Sequence, residues 1–286
     1  MSTGTMQAGT TAAGDRAEIA ERVLKARTSF YWAMRLLPRA KRDAMFAVYA
    51  FCRVVDDIAD GDLPNERKRT ALADWRGEID RLYEGRPADP IARALLRPVR
   101  DFGLRREDFL AVIDGVEMDA RGPIQAPPMA ELELYCARVA GAVGRLSVRI
   151  FGAPQPAGDR LATELGEAVQ LTNLLRDLRE DAAVDRLYLP RELLDRFAVP
   201  AKPALALDHP GLAGVCAAVA ERAERRFAEA TATLAGLPRR ELKPARIIHA
   251  IYHRLLERLR DAGFATAMPV RLGKWEKLRI ALGNLR

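Results

Sequence analysis

Cysteine is scarce in this chain: Cys52, Cys136 and Cys216 are the only three, an odd number with no close pair. That excludes a disulfide framework, and their apolar, helix-like surroundings predict reduced, buried thiols. No run of about 18 uncharged apolar residues occurs, which excludes a membrane-spanning helix. Met1 to Gly14 is rich in Ser, Thr, Gly and Ala, with no basic start and no apolar block. No secretory signal is read there, and residues 1–15 are expected to form a disordered tail. A Ser-His-Asp arrangement, a Gly-rich phosphate loop and a dinucleotide fingerprint are all missing. So is any nucleic-acid motif, and arginine is scattered over many segments. The formal charge of +7 and the pI of about 9.6 therefore point to a polyanionic small molecule or an anionic membrane surface.

What the chain has is helical apolar spacing, in segments separated mostly by Gly or Pro. The spacing predicts helices over 16–37 (with a break near Thr28 and Ser29), 41–60, 66–84, 89–101 and 106–120. Beyond a loop marked by Pro123, Pro127 and Pro128, it predicts helices over 130–151, 158–182, 211–235 and 239–262. A short turn is expected at 190–197 and a basic helix at 270–284. There is no βαβ alternation, no strand series, no short repeat and no long polar linker. The expected fold class is all-α, a single domain over residues 16–286.

Two carboxylate pairs stand out, Asp56/Asp60 and Asp177/Asp181. Each pair is four residues apart in a helical segment, so both side chains share one face. Like charges at that spacing cost an isolated helix about a few tenths of a kcal/mol. Divalent cations would offset the cost, and two such faces opposite each other would hold Mg²⁺ against a diphosphate. Arg53, three residues before Asp56, shares the first face, whereas Asp57 is displaced from it towards a solvated or capping role. Asn173 extends the second face and Gln170 lies close by. Amides and carboxylates are hard oxygen ligands suited to Mg²⁺. Arg176 and Arg186 are suited to phosphate oxygens. The plainer account is a salt-bridged patch for the first set and a solvated face for the second. Ala168, Leu171, Leu175 and Leu178 supply the apolar side of the second.

Other features have ordinary explanations beside functional ones. His249 and His253 are four apart, but no Cys or further His accompanies them, so zinc is not expected. Phe46, Tyr49 and Phe51 join Phe30, Tyr31 and Trp32 in an aromatic group that is mostly core, with some members walling an apolar cavity. Gly141 and Gly144 weaken their helix by about 1 kcal/mol each relative to Ala. Close helix packing or room for a ligand would account for them.

Taken together, Arg-x-x-Asp-x-x-x-Asp at 53–60 and Asn-x-x-x-Asp-x-x-x-Asp at 173–181 resemble the squalene and phytoene synthase family. The segment 135–144 is similar to that family's central tyrosine helix. Residues 186–190 resemble the stretch after its second acidic motif, and 29–38 its N-terminal helix and turn. The likeness covers about residues 25 to 280. The stretches 29–34, 49–53 and 113–119 resemble the bacterial hopanoid-pathway branch whose product is presqualene diphosphate. Asp185 departs from the pattern, standing where the family usually has Gly, and bears on the backbone freedom of the loop carrying Arg186 and Tyr188.

The resemblance implies a class I isoprenoid synthase fold, a helical bundle around a central cavity that takes two molecules of farnesyl diphosphate. It implies several Mg²⁺ ions held by Asp56, Asp60, Asn173, Asp177 and Asp181. It also implies substrate contacts from Ser29, Phe30, Tyr49, Arg53, Gln170, Asn173, Arg176, Arg186, Tyr188 and Tyr252. Tyr135 would steer a cation or a departing proton. NADPH is not expected, although a squalene synthase using NADPH, or a phytoene or dehydrosqualene synthase, would share these residues. A non-catalytic isoprenoid-binding module is the reading of a different class. The expected place is the cytoplasm, with peripheral contact at the inner membrane surface through Arg271, Lys274, Lys277 and Arg279 and squalene-forming enzymes downstream.

Overall fold

Proline and glycine cut the chain close to where the sequence predicts. The computed structural model describes Met34, residues 37–264 and residues 270–284. The expected helix at 16–37, with Ser29 and Phe30, lies almost wholly outside the described residues. Helix α1 (Arg39–Asp60) follows Pro38, and α2 (Asn65–Tyr83) follows Pro64. Helix α3 (Pro90–Phe102) starts on an Asp89 carboxylate that caps the amides of Ile91 and Ala92. It ends at Gly103, whose φ of 59° suits glycine. Helix α4 (Arg106–Ala120) leads through the Pro-rich loop to α5 (Met129–Cys136) and α6 (Ala142–Phe151). Then come α7 (Ala157–Arg176), α8 (Leu178–Ala183), α9 (Arg191–Arg196) and α10 (Pro203–Leu207). Helices α11 (Leu212–Ala235), α12 (Lys243–Asp261) and α13 (Lys274–Gly283) complete the order. Among the described residues there is no strand, only one isolated parallel bridge between Gln125 and Leu187.

Two expected continuous helices are interrupted. The 130–151 segment contains a π turn at Ala137–Gly141, where the Ala142 amide reaches the Ala137 carbonyl five residues back. The turn lies where helices come closest. A Cβ on Gly166 would sit 3.0 Å from the Gly141 Cα and backbone nitrogen, and one on Gly144 would sit 3.0 Å from the Ala162 carbonyl oxygen. Close packing therefore accounts for Gly144 and Gly166, whereas Gly141 itself has room for a side chain. Gly166→Val is expected to cost about 2 kcal/mol or more by overpacking, seen as a lower midpoint in thermal or urea unfolding.

The 158–182 segment breaks at Asp177 (φ −98°, ψ 10°), where the side chain folds back on its neighbour Arg176. Two backbone bonds bridge the break: Asp177 N–H to Asn173 O at 2.9 Å, and Asp181 N–H to Asp177 O at 2.8 Å. The four-residue ladder 173–177–181 survives the kink.

Helix α7 packs against α6, the π turn, α11 and α12, while α1 packs against α2, α3, α4 and α6. Buried Glu167 ties α7 to α11, accepting from Arg222 at 2.6 Å and pairing with Arg226 at 2.7 Å. Phe51 is fully buried, edge-on to Trp75 and Phe109, so it belongs to the core. Phe46 packs against the core from a half-buried position.

Candidate active site

Helices α1, α6, α7 and α12, with the π turn, enclose a cavity of about 270 Å³. Its wall can be read directly from helical spacing. On α1, Asp56, Cys52, Tyr49 and Met45 recede along one face, a depth of roughly 16 Å at 1.5 Å per residue. On α7, Asn173, Gln170, Gly166 and Ala162 do the same. Val143, Val148, Phe151 and Leu165 complete an apolar interior, and Tyr252 enters from α12. Acid and amide thus stand at one end of an apolar pocket, the shape needed for a ligand with a charged head and a hydrocarbon tail. Tyr49 is a wall residue, as is Cys52, which is half-buried where burial had been expected. Burial and the Asp56 charge push the Cys52 thiol up, so it stays neutral.

The two acidic motifs converge beside this end. Asp56 and Asp181 both feel the charge of Asp119, and Asp119 feels Asp60. Burial pushes Asp56 up to about 7, with Asp60 and Asp57 adding to the rise and Arg53 opposing it. Burial also pushes Asp181 up to about 7, reinforced by Asp177. Such crowded carboxylates call for a cation.

The arginines stand differently from expectation. Arg53 shares a face with Asp56, but its guanidinium bonds the exposed Asp57 at 2.6 Å. Asp57 lies at i+4 from it and is as near as Asp56. Arg176 grips the adjacent Asp177 carboxylate through two nitrogens, Nε at 2.6 Å, and also bonds Tyr252. Arg186 reaches Asp60 on α1 at 3.0 Å, joining the two motifs across 126 residues of chain. Each arginine expected on phosphate is thus held by a carboxylate within or beside the expected metal set.

Asp119, at the end of α4, is the residue the sequence reading missed. Its carboxylate accepts from the Tyr188 hydroxyl at 2.6 Å and the Tyr135 hydroxyl at 3.0 Å. The two rings stack with centroids 5.1 Å apart. Burial raises the Asp119 carboxyl, against the two tyrosine bonds and the Arg186 charge. Tyr135 is buried beneath this cluster and is not among the residues lining the cavity. The stretch 113–119 holds three acids, Asp114, Glu117 and Asp119, and nothing local separates the last, whose partners lie 16 and 69 residues away.

Asp185 carries Tyr188 and Arg186 into place from a left-handed backbone, φ 61°. Its carbonyl accepts from the Gln125 side chain at 3.0 Å, which holds the turn. Aspartate tolerates this region and a β-branched residue does not. Asp185→Val is expected to cost about 1–2 kcal/mol, read as a drop in the thermal midpoint, whereas Asp185→Gly keeps the fold.

The donor chemistry fits Mg²⁺. Asn173 Oδ1 is buried without a hydrogen-bond partner, about one helical turn before Asp177. Among the described residues, no three His, Cys, Asp or Glu side chains are grouped closely enough to hold a metal. Mg²⁺ commonly takes one or two carboxylates and completes its shell with water and substrate phosphate. The histidines are otherwise engaged: His253 Nε2 contacts Glu224 at 2.7 Å, and His249 Nε2 contacts Thr231 at 2.9 Å.

The comparison with known proteins agrees with this geometry. The squalene/phytoene synthase family model matches residues 23–279. The chain belongs to the squalene/phytoene synthase family. It is 50% identical over 257 residues to the presqualene diphosphate synthase of Rhodopseudomonas palustris, covering 89% of this chain and 92% of that one. It is 47% identical to the presqualene diphosphate synthase of Sinorhizobium fredii, over 88% and 91% of the two chains. A crystal structure of a dehydrosqualene synthase with a ligand superposes with a TM-score of 0.84 at 27% identity, covering 96% of each chain. The all-α bundle around a cavity is therefore this family's fold.

Proposed function

We propose that the protein joins two molecules of farnesyl diphosphate head to head (1′-1), releasing one diphosphate and one proton and forming presqualene diphosphate. This is a prenyl transfer in squalene and hopanoid biosynthesis. The observation that carries the reading is the apolar cavity ending at Asp56, Gln170, Asn173 and Tyr252, with the second acidic ladder beside it. The relatives named for this reaction, matched over most of their length, favour it over the other activities of the family.

In this reading the chain's residues divide the work. Asp56, Asp60, Asn173, Asp177 and Asp181 would hold Mg²⁺. When bound, the metal neutralises charge building on the leaving diphosphate. Arg176, paired with Asp177, and Arg186, paired with Asp60, would be free to bind phosphate oxygens if those carboxylates held metal, and Arg53, paired with Asp57, would join them. The C1–O bond of one farnesyl diphosphate breaks, and its electron pair leaves with diphosphate. The double bond of the second molecule attacks the allylic carbon, and loss of a proton closes a cyclopropane. The apolar walls keep water from the cation. Tyr135 and Tyr188, both held by Asp119 and neither lining the cavity, would act by positioning the polar end of the site. The released diphosphate suffices as base. The step is redox-neutral, so NADPH has no part in it, and reduction falls to a squalene-forming enzyme downstream.

The test is incubation of the purified protein with farnesyl diphosphate and Mg²⁺, with and without NADPH, followed by mass spectrometry of intact diphosphates and neutral lipids. Presqualene diphosphate in both tubes is expected. Squalene formed only with NADPH would make the protein a complete squalene synthase. Untouched farnesyl diphosphate would favour a C20 substrate or a binding role.

A further inference from the structure

Helix α13 carries an apolar stripe that the described residues leave largely exposed. Trp275 is 82% exposed and Leu282 is 55% exposed, the former the most exposed large hydrophobic side chain among the described residues. They lie seven residues apart, with half-buried Leu278 between them, so all three share one face. Neighbouring positions anchor the helix. Ala281 is buried, and Glu276 pairs with Arg254 at 3.3 Å and with Arg258 at 3.0 Å on α12.

Cations flank the stripe. Lys274 and Arg279 are exposed on the same helix, and Arg271 just before it is 75% exposed. We infer that this face of α13 docks on an anionic lipid bilayer, with Trp275, Leu278 and Leu282 in the headgroup layer and Lys274 and Arg279 against lipid phosphates. A Trp beside leucines, rimmed by lysine and arginine, is the arrangement that seats a helix in the membrane interface. The stripe's rim of Arg271, Lys274 and Arg279, all of one sign, disfavours pairing with a second copy of itself.

The position of the helix connects this surface to the site. Arg271 lies 4.0 Å from Glu180, next to Asp181, and Lys277 is within electrostatic reach of Arg176. Docking would bring the charged end of the cavity close to the bilayer, where an amphiphilic substrate arrives and a more apolar product departs. That last point rests on the proposed function; the docking itself does not.

The test is flotation of the purified full-length protein with vesicles, either phosphatidylcholine alone or phosphatidylcholine and phosphatidylglycerol in equal parts, without substrate. The wild type is expected to float with the mixed vesicles and to bind phosphatidylcholine weakly. The Trp275→Ala, Leu282→Ala double variant is expected to lose at least about tenfold in partitioning. Lys274→Glu with Arg279→Glu is expected to lose a similar factor on the mixed vesicles only. Both variants should keep the wild-type melting curve and turnover of farnesyl diphosphate, which separates docking from folding and from catalysis. A wild type that stays unbound to mixed vesicles would overturn the inference. So would a double variant that floats like the wild type, or a wild-type dimer that the double variant dissolves while neither binds vesicles.

Discussion

Asp56→Ala and Asp177→Ala are each expected to lower consumption of farnesyl diphosphate by on the order of 10³-fold. The reason is electrostatic. A leaving diphosphate gains charge as the C1–O bond opens, and in the proposed site these carboxylates would hold the cations that meet it. Asp177 has a second task, since it also anchors Arg176. A solvated surface patch would lose less than about twofold, so the two accounts separate widely in a simple rate assay. Stability should move the other way for Asp56. Burial and Asp60 both disfavour its charged form, so Asp56→Asn is expected to raise the melting temperature of the metal-free protein by about a few degrees while activity falls. Opposite shifts in activity and stability mark a group retained for function. A parallel fall in both would mark a structural one.

Asp119→Ala is expected to lower kcat by about a hundredfold, the order lost when a positioned group shifts by about an ångström. The carboxylate holds two phenol hydroxyls and keeps the stacked rings in register. Removing it leaves two largely buried donors unsatisfied, about 1–3 kcal/mol each, and lets Tyr135 and Tyr188 drift. Asp119→Asn keeps one acceptor oxygen and should recover part of the loss. KM is expected to change far less than kcat, because Asp119 does not line the cavity. Steady-state kinetics of the two variants, with melting curves as the folding control, decide the matter.

The parts of this molecule legible in sequence are those set by local chemistry. Pro38, Pro64 and Gly103 mark helix ends because their backbone preferences act within a turn. The acidic ladders were visible because residues four apart on a helix share a face wherever the helix goes. The parts not legible depend on distant neighbours. The π turn at 137–141 answers to Gly166 pressing from α7. The kink at Asp177 comes with a side chain that folds back on Arg176. Arg53 has two carboxylates within reach along its helix, and it takes the exposed Asp57. Asp119 has no partner in its own helix, so no spacing rule could single it out. At Asp185 the departure from the family's usual glycine is accommodated by a left-handed backbone held by Gln125.

The most direct measurement is anomalous diffraction from crystals grown with Mn²⁺ and inorganic diphosphate. Manganese peaks are expected between the end of α1 and the 173–181 ladder, bound by Asp56 or Asp60 on one side and by Asn173, Asp177 or Asp181 on the other. Diphosphate would lie between them, and Arg186 would have moved from Asp60 to a phosphate oxygen. Manganese bound elsewhere, or diphosphate bound without metal at these residues, would contradict the two-motif site on which the account rests.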